Sequence, residues 1–483
     1  MHATPTTTPP TRWLRSVIMF MSGQTVSLFG SMLVQYAVFW YLTLEFKSGW
    51  IMTLAAVFGF LPQAIVSVFG GVWADRHNRK YLIIVADASI AVTTLALAIL
   101  LMTGEAPLWA IFLTLAIRSA GAGVQTPAVS AMIPQITPAP HLIRVNGILQ
   151  SINSAMALLV PAAAGALFAI TAQAAGSSTA ALVPIFFIDV VTAAIGIGLL
   201  AFVRVSRVER SGDAETGYLT DLVDGVKYVA THSFLRWLLV LFAIVFILTV
   251  APSNLTPLML VRTFGTGNES LDIANLTILE IAFSVGMMLG GILIATVFAK
   301  VNRIGAIVVS SFVFGALSIG LGFSPNTIVF FAFMFLVGLA VPFFSTASMT
   351  LIQETVEPER QGRVFGFVSI VMAVAMPFGM VILGPLADIV AIETLLVAAG
   401  LLTFVIVGIA ILSPAGRRAT AAAKIMTANS GTTTAASDDS APGAGGEGLF
   451  DAAPIQNAAA SGSAGAASAS MADSINEMRD PKE

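Results

Sequence analysis

The chain has 483 residues, 57% of them hydrophobic and only 10% charged, with a mean hydropathy of +0.90 and a net charge of -3. A soluble domain carries about a quarter of its residues as charges, so this chain is built for lipid as its solvent, and its near-neutral charge leaves no footprint for nucleic acid. The absence of cysteine excludes disulfides, thiolate metal sites and cysteine nucleophiles. None of the four histidines forms an HExxH-like ligand pair and no GxxxxGK-Ser/Thr phosphate loop occurs, so no metal, no cofactor and no enzymatic activity are expected.

Residues 1–11 are polar and Thr/Pro-rich and are expected to be disordered. A spanning helix needs about 20 apolar residues. Such runs lie near 15–43, 50–74, 81–103, 107–133, 143–171, 180–203, 235–261, 271–299, 302–323, 326–353, 363–387 and 391–412. The first is too long for a signal-peptide core and counts as a span. The second runs into Gly70-Gly71-Val72-Trp73-Ala74-Asp75-Arg76-His77-Asn78-Arg79-Lys80, where an acid, three cations and a histidine crowd six positions. That charge lies outside the bilayer, and the two glycines before it permit close helix approach.

An even number of spans puts both termini on one side. With a cytoplasmic amino terminus, the inner segments hold Arg12, Arg15, Arg76, Arg79, Lys80, Arg144, Arg204, Arg207, Arg210, Lys227, Arg236, Lys300, Arg303, Arg360 and Arg363, against only Lys47 and Arg262 outside. This asymmetry predicts a multi-pass protein of the plasma membrane with both termini cytoplasmic. Residues 204–234 form the one long connection, expected to lie on the cytoplasmic face as a short amphipathic helix. It joins bundles at 12–203 and 235–413. A shift of 219 residues lays Arg144-Val145-Asn146-Gly147 over Arg363-Val364-Phe365-Gly366, Ile133 over Ile352, Gln135 over Glu354 and Gly71 over Gly290. The predicted fold is therefore an all-α integral membrane protein of twelve transmembrane helices in two six-helix pseudo-repeats, with a site between the halves. The tail 414–483 is rich in Ala, Gly, Ser and Thr and is expected to be disordered.

Ionisable residues inside the spans are costly and mark function. Arg118 falls about eleven residues into the fourth span, so it faces the protein interior; it cannot give up its proton, and its expected work is to tune a nearby carboxylate. Glu280 in the eighth span and Asp189 in the sixth are the two acids that can partner it or carry a proton on their own. Glu280 is the preferred candidate, Asp189 being expected to cap or pair locally. Asp87, just inside the third span, is expected to pair with the Arg76/Arg79 cluster.

Twelve spans with the hinge between the second and third resemble the major facilitator superfamily. Its loop signature, roughly G-x-x-x-D-R-x-G-R-Arg/Lys, is matched by Gly71, Asp75, Arg76, Arg79 and Lys80. Asn78 replaces the usual glycine, and Asn tolerates positive φ. The stretch from Gly23-Gln24-Thr25-Val26-Ser27-Leu28-Phe29-Gly30 through Val34-Gln35-Tyr36-Ala37 to Phe58-Gly59-Phe60-Leu61-Pro62-Gln63-Ala64 looks like the macrolide-efflux branch, with siderophore exporters close by. In the second half Gly290-Gly291 persist without an Asp-Arg pair, and the antiporter signature of the fifth helix survives only as Val160-Pro161-Ala162-Ala163-Ala164-Gly165.

The resemblance implies a secondary active exporter of amphipathic small molecules, macrolide-type drugs first, working by proton antiport with alternating access. A siderophore, bile-salt or other metabolite exporter is the alternative, and a receptor or scaffold without transport the reading from another class. It also implies that Asp75 faces the start of the eleventh helix near Gly362 and Arg363 as a cytoplasmic latch, and that Arg118-Ser119-Ala120-Gly121-Ala122-Gly123 corresponds to the fourth-helix arginine motif tied to proton coupling. The central cavity is then lined by Gln24, Gln35, Tyr36 and Trp40 of the first helix, Gln125 of the fourth, Asn254 of the seventh, and Phe343, Phe344, Ser345 and Thr346 of the tenth. Prolines 62, 127, 161, 342 and 377 would kink their helices. The expected partners are a small-molecule substrate, protons and the lipid bilayer, with the chain acting as a monomer.

Overall fold

Lipid offers no partners to the backbone, so a spanning segment satisfies its own amides by coiling into helix. A computed structural model shows this repeatedly. It describes residues 13–103, 107–175, 178–203, 205, 227–296, 303–356, 358–414 and 416–417, all within one compact unit, Met1–Ala428. Most of the 204–234 connection and almost all of the tail from 414 lie outside the described residues.

Twelve helices long and apolar enough to cross a membrane follow in order. They are α1 (Trp13–Phe46), α2 (Gly49–Arg76), α3 (Arg79–Met102), α4 (Leu108–Ile136), α5 (Leu142–Ala175), α6 (Ser178–Ala201), α7 (Phe234–Thr263), α8 (Glu269–Thr296), α9 (Arg303–Gly322), α10 (Thr327–Thr355), α11 (Pro358–Ala387) and α12 (Ile392–Leu412). Within α7 a π-helical turn, Ala251–Leu255, separates an α-helical stretch ending at Leu248 from another starting at Thr256. Prolines 62, 127, 161, 342 and 377 all sit inside helices, where neighbouring helices re-satisfy the freed carbonyls.

The first six helices pack chiefly on one another, α2 on α4, α1 on α6, and α3 on both α4 and α6. Among the last six, α8 lies on α10, α9 on α10 and α12, and α7 on α11 and α12. Two seams join the groups, α2 against α11 and α5 against α8. At the first seam a Cβ on Gly49 would run into the Gly384 carbonyl, so that helix crossing requires glycine. Large apolar side chains such as Trp109, Val92 and Ile328 stay exposed on the flanks, where lipid and not water is their neighbour.

The hinge after α2 differs from expectation in two details. Asn78 has φ -67° and caps α3, its side chain accepting a hydrogen bond from the Lys80 amide at 3.1 Å. A cap needs no left-handed backbone, which is why Asn serves here in place of glycine. Gly70 provides the close approach, since a Cβ there would meet the Gly123 carbonyl of α4, whereas a Cβ on Gly71 would meet nothing within 4 Å.

Candidate functional site

Helices α1, α2, α7, α8 and α11 enclose a cavity of about 310 Å³. Its aromatic wall is Tyr36 and Trp40, with ring centroids 5.7 Å apart, and Phe60 opposite them on α2. Gln35 and Asn254 bring neutral hydrogen-bonding groups and Glu280 brings a carboxylate. Asn254 lies in the π-helical turn, its side-chain amide bonded to the Val250 carbonyl at 3.4 Å. Such turns recur at functional sites because the extra residue breaks the regular ladder. Among the described residues, none pairs with or donates to Glu280. A lone carboxylate among aromatic rings and flexible methionines such as Met52 and Met380 suits an amphipathic ligand that carries a cation.

Six residues expected in the cavity are not among those that line it, Ser345 and Thr346 of α10 included. Phe344 is 4% exposed and stacks on Phe242 at 5.4 Å, so it belongs to the core of the last six helices. Phe343 is half-buried and is not among the lining residues. Gln24 and Gln125 meet each other at 3.3 Å inside the first six helices. The lining comes from α2, α8 and α11 in place of α4 and α10, because the α2–α11 seam closes over the cavity.

Inside the first six helices sits a buried polar cluster. Arg118 of α4 pairs with Asp189 of α6 at 2.5 Å; Asp189 is 0% exposed and Arg118 8%. The guanidinium also donates to Thr94 and to the Ser31 carbonyl at 3.0 Å, and Ser31 donates to Asp189 at 3.2 Å. Asp189 is thus the long-range partner of Arg118, and Glu280 is not. Asp189 does not pair locally as expected, because α6 packs against α1 and α3, which carries its acid inward. Asp87 is also relocated. It is 2% exposed and accepts from Ser27 at 3.0 Å and Gln125 at 2.8 Å, about two helical turns along α3 from Arg79.

The hinge cations act as staples between helix ends. Lys80 donates to the Ala201 and Val203 carbonyls at 2.6 and 2.9 Å, satisfying the open end of α6. Arg79 donates to the carbonyls of Ala74 and Ala131 at 3.0 and 2.9 Å, joining α2 to α4. Arg76 is exposed. The side chains of Asp75 and Arg363 lie outside the described residues.

A tight contact that the sequence did not announce closes the opposite end of the α2–α11 seam. Asp388, just past α11, accepts from the backbone amides of Gly49 and Trp50 at 2.7 and 2.8 Å and from the Ser48 hydroxyl at 2.9 Å, so it caps α2 from the other half of the chain. Arg262 at the end of α7 pairs with it at 2.5 Å and donates to the carbonyls of Lys47 and Ala387 at 2.8 and 2.5 Å. Lys47 holds φ at +48°, a left-handed conformation uncommon for its type, and the bond to its carbonyl helps keep it there. One turn further in, the Thr53 hydroxyl donates to the Met380 carbonyl at 2.8 Å. The latch therefore roofs the cavity.

Partial burial works against ionisation of Asp388, but the hydrogen bonds from Gly49, Trp50, Arg262 and Ser48 outweigh it and hold the carboxyl below the ordinary carboxylate range. A group depressed in the closed form stabilises that form at pH values above its ordinary pKa of about 3.9, and the contribution fades as pH falls through the lowered value. The latch accordingly stays intact at mildly acidic pH. Asp388→Asn removes the charge at every pH and is expected to loosen it. With no native cysteine to mask, a Met380→Cys reporter should label several-fold faster with a membrane-impermeant thiol reagent when Asp388→Asn is added; an unchanged rate would show that the latch does not govern access.

Residues 20–380 match the sequence profile of the Major Facilitator Superfamily. The chain is 31% identical over 406 residues to macrolide efflux protein A of Streptococcus pyogenes, covering 83% of this chain and 96% of the relative. It is 21% identical over 368 residues to the staphyloferrin A transporter of Staphylococcus aureus, covering 76% and 87%. Among solved structures, the nucleoside transporter NupG superposes with a TM-score of 0.66 at 12% identity, covering 82% of this chain and 99% of that one. A bacterial homologue of the iron transporter ferroportin does so with a TM-score of 0.59 at 18% identity, covering 83% and 99%.

Proposed function

The chain belongs to the major facilitator superfamily of multi-pass membrane transporters for small molecules, and on that premise we propose that it exports amphipathic, amine-bearing compounds of the macrolide type by proton antiport. The observation that carries this reading is Glu280, a carboxylate without a partner among the described residues, set in a cavity walled by Tyr36, Trp40 and Phe60. A proton and a basic ligand compete for such a group, and competition for one carboxylate is the simplest way to exchange them. An anionic metabolite would be repelled there by a carboxylate of like charge. The similarity to macrolide efflux protein A supports the substrate class.

In this reading both termini are cytoplasmic and the protein works as a monomer in the plasma membrane. The Asp388–Arg262 latch then shuts the outer end, so the protein is closed to the outside. Asp75, in the last turn of α2, serves as the reciprocal inner latch when the halves rock. At about 310 Å³ the cavity is at the small end of ligand pockets, so a macrolide ring enters as the inner ends part. Inside-out vesicles carrying the full chain should accumulate labelled erythromycin under an imposed proton gradient and lose that accumulation on adding a protonophore. Equal accumulation with and without the chain would sink the macrolide reading; accumulation indifferent to the protonophore would sink the antiport.

A further inference from the structure

The polar cluster in the first six helices contains two acids and one fixed cation. Arg118 is used by Asp189, with which it forms a 2.5 Å pair. Asp87 has no cation. Its Oδ1 accepts from Ser27 and Gln125, while its Oδ2 and the amide nitrogen of Gln24 are buried without hydrogen-bond partners. The elements packed around it bring Gln125 and Arg118 from α4, Asp189 from α6, and Gln24, Ser27 and Ser31 from α1, and the only charges among these are the Arg118–Asp189 pair. On α3 itself the nearest cations are Arg79 and Lys80, two turns away and engaged with helix-end carbonyls. An ionised carboxylate in that position would be a buried charge offset only by neutral hydrogen-bond donors, with no cation of its own, and a buried charge that lacks a counter-ion is costly.

A second observation gives the site a route. Gln24, Ser27, Ser31 and Gln35 are spaced by three, four and four residues, which places them on one face of α1. Gln24 and Ser27 lie at Asp87, Ser31 bonds Asp189, and Gln35 lines the cavity. The stripe thus runs from Asp87 past the ion pair to the substrate space.

We propose that Asp87 is a second proton-carrying residue, separate from Glu280, exchanging its proton with the cavity along the polar stripe of α1. The proposal deepens the antiport reading and rests on it for the transport consequence, while the binding of a proton by Asp87 stands independently. No covalent chemistry is involved; one proton adds to a carboxylate oxygen and later leaves it.

Two measurements on the purified full chain test it. Infrared difference spectra across a pH titration should show a protonated-carboxyl C=O band that Asp87→Asn deletes and Glu280→Gln leaves in place; a band set unchanged by Asp87→Asn would overturn the proposal. In proteoliposomes, Asp87→Asn should reduce gradient-driven erythromycin accumulation about tenfold more than it reduces erythromycin exchange, because exchange moves no net proton, and Asp87→Glu should restore part of the loss. Equal reduction of both, in a variant whose infrared spectra confirm its fold, would overturn the coupling role. If wild-type accumulation ignores the gradient, the antiport reading fails on its own, and the infrared arm still decides whether Asp87 holds a proton.

Discussion

Glu280→Gln should abolish energised efflux while leaving an intact fold. The substitution keeps the shape of the side chain and removes both its charge and its exchangeable proton. Because Glu280 lines the cavity with no described partner, no neighbour is orphaned by the change and stability should move little. A charged group contacting a cationic ligand contributes about 1.5–3 kcal/mol, so affinity for a basic macrolide should fall about 10–150-fold, whereas a neutral ligand of similar size should lose far less. Binding to the purified protein, measured by tryptophan quenching with six native tryptophans as reporters, distinguishes the two. Equal losses for basic and neutral ligands would remove Glu280 from ligand recognition.

The second large effect is on stability. Arg118→Leu leaves Asp189, fully buried at 0% exposure, without its cation, and breaking a buried pair from one side costs about 3–5 kcal/mol. Asp189→Leu strands Arg118 in the same way. The double substitution removes both charges and should recover a substantial part of either single loss, since no uncompensated charge is left buried and Thr94 keeps its bond to the Ile90 carbonyl. Thermal unfolding in detergent, followed by tryptophan emission, gives the double-mutant cycle. Strict additivity of the two losses would mean that the pair is not coupled as its 2.5 Å contact implies.

Much of this architecture is readable from residue order. The apolar runs mark all twelve helices to within a few residues, because a bilayer demands length and apolarity over anything subtler. Arg118 also stands out, since a guanidinium amid apolar residues has to face inward. Its partner does not, because Asp189 is 71 positions away and only the packing of α6 on α1 and α3 brings it near. Ser27 and Ser31 are equally quiet, a serine in a spanning helix commonly bonding its own preceding turn. The Asp388 latch had one clue. Arg262 was one of two cations on the side otherwise bare of them, and a cation left there needs a reason. The cavity lining shifted from α4 and α10 to α2, α8 and α11 because which helices face the space depends on which end is shut, and residue order does not record a conformational state.

The π-helical turn at Ala251–Leu255 has a consequence for the helix that contains it. Each residue in an α-helix advances the azimuth by about 100°, so one additional residue in a turn resets the angular phase of everything beyond it by roughly that amount. Below the turn α7 presents Phe242 to Phe344 in the core of its own bundle; above it, the same helix aims Arg262 across the seam at Asp388 and Lys47. A single rod is thereby divided into two segments with independent azimuths, one keyed to its own half of the molecule and the other to its neighbour, with Asn254 at the joint between them.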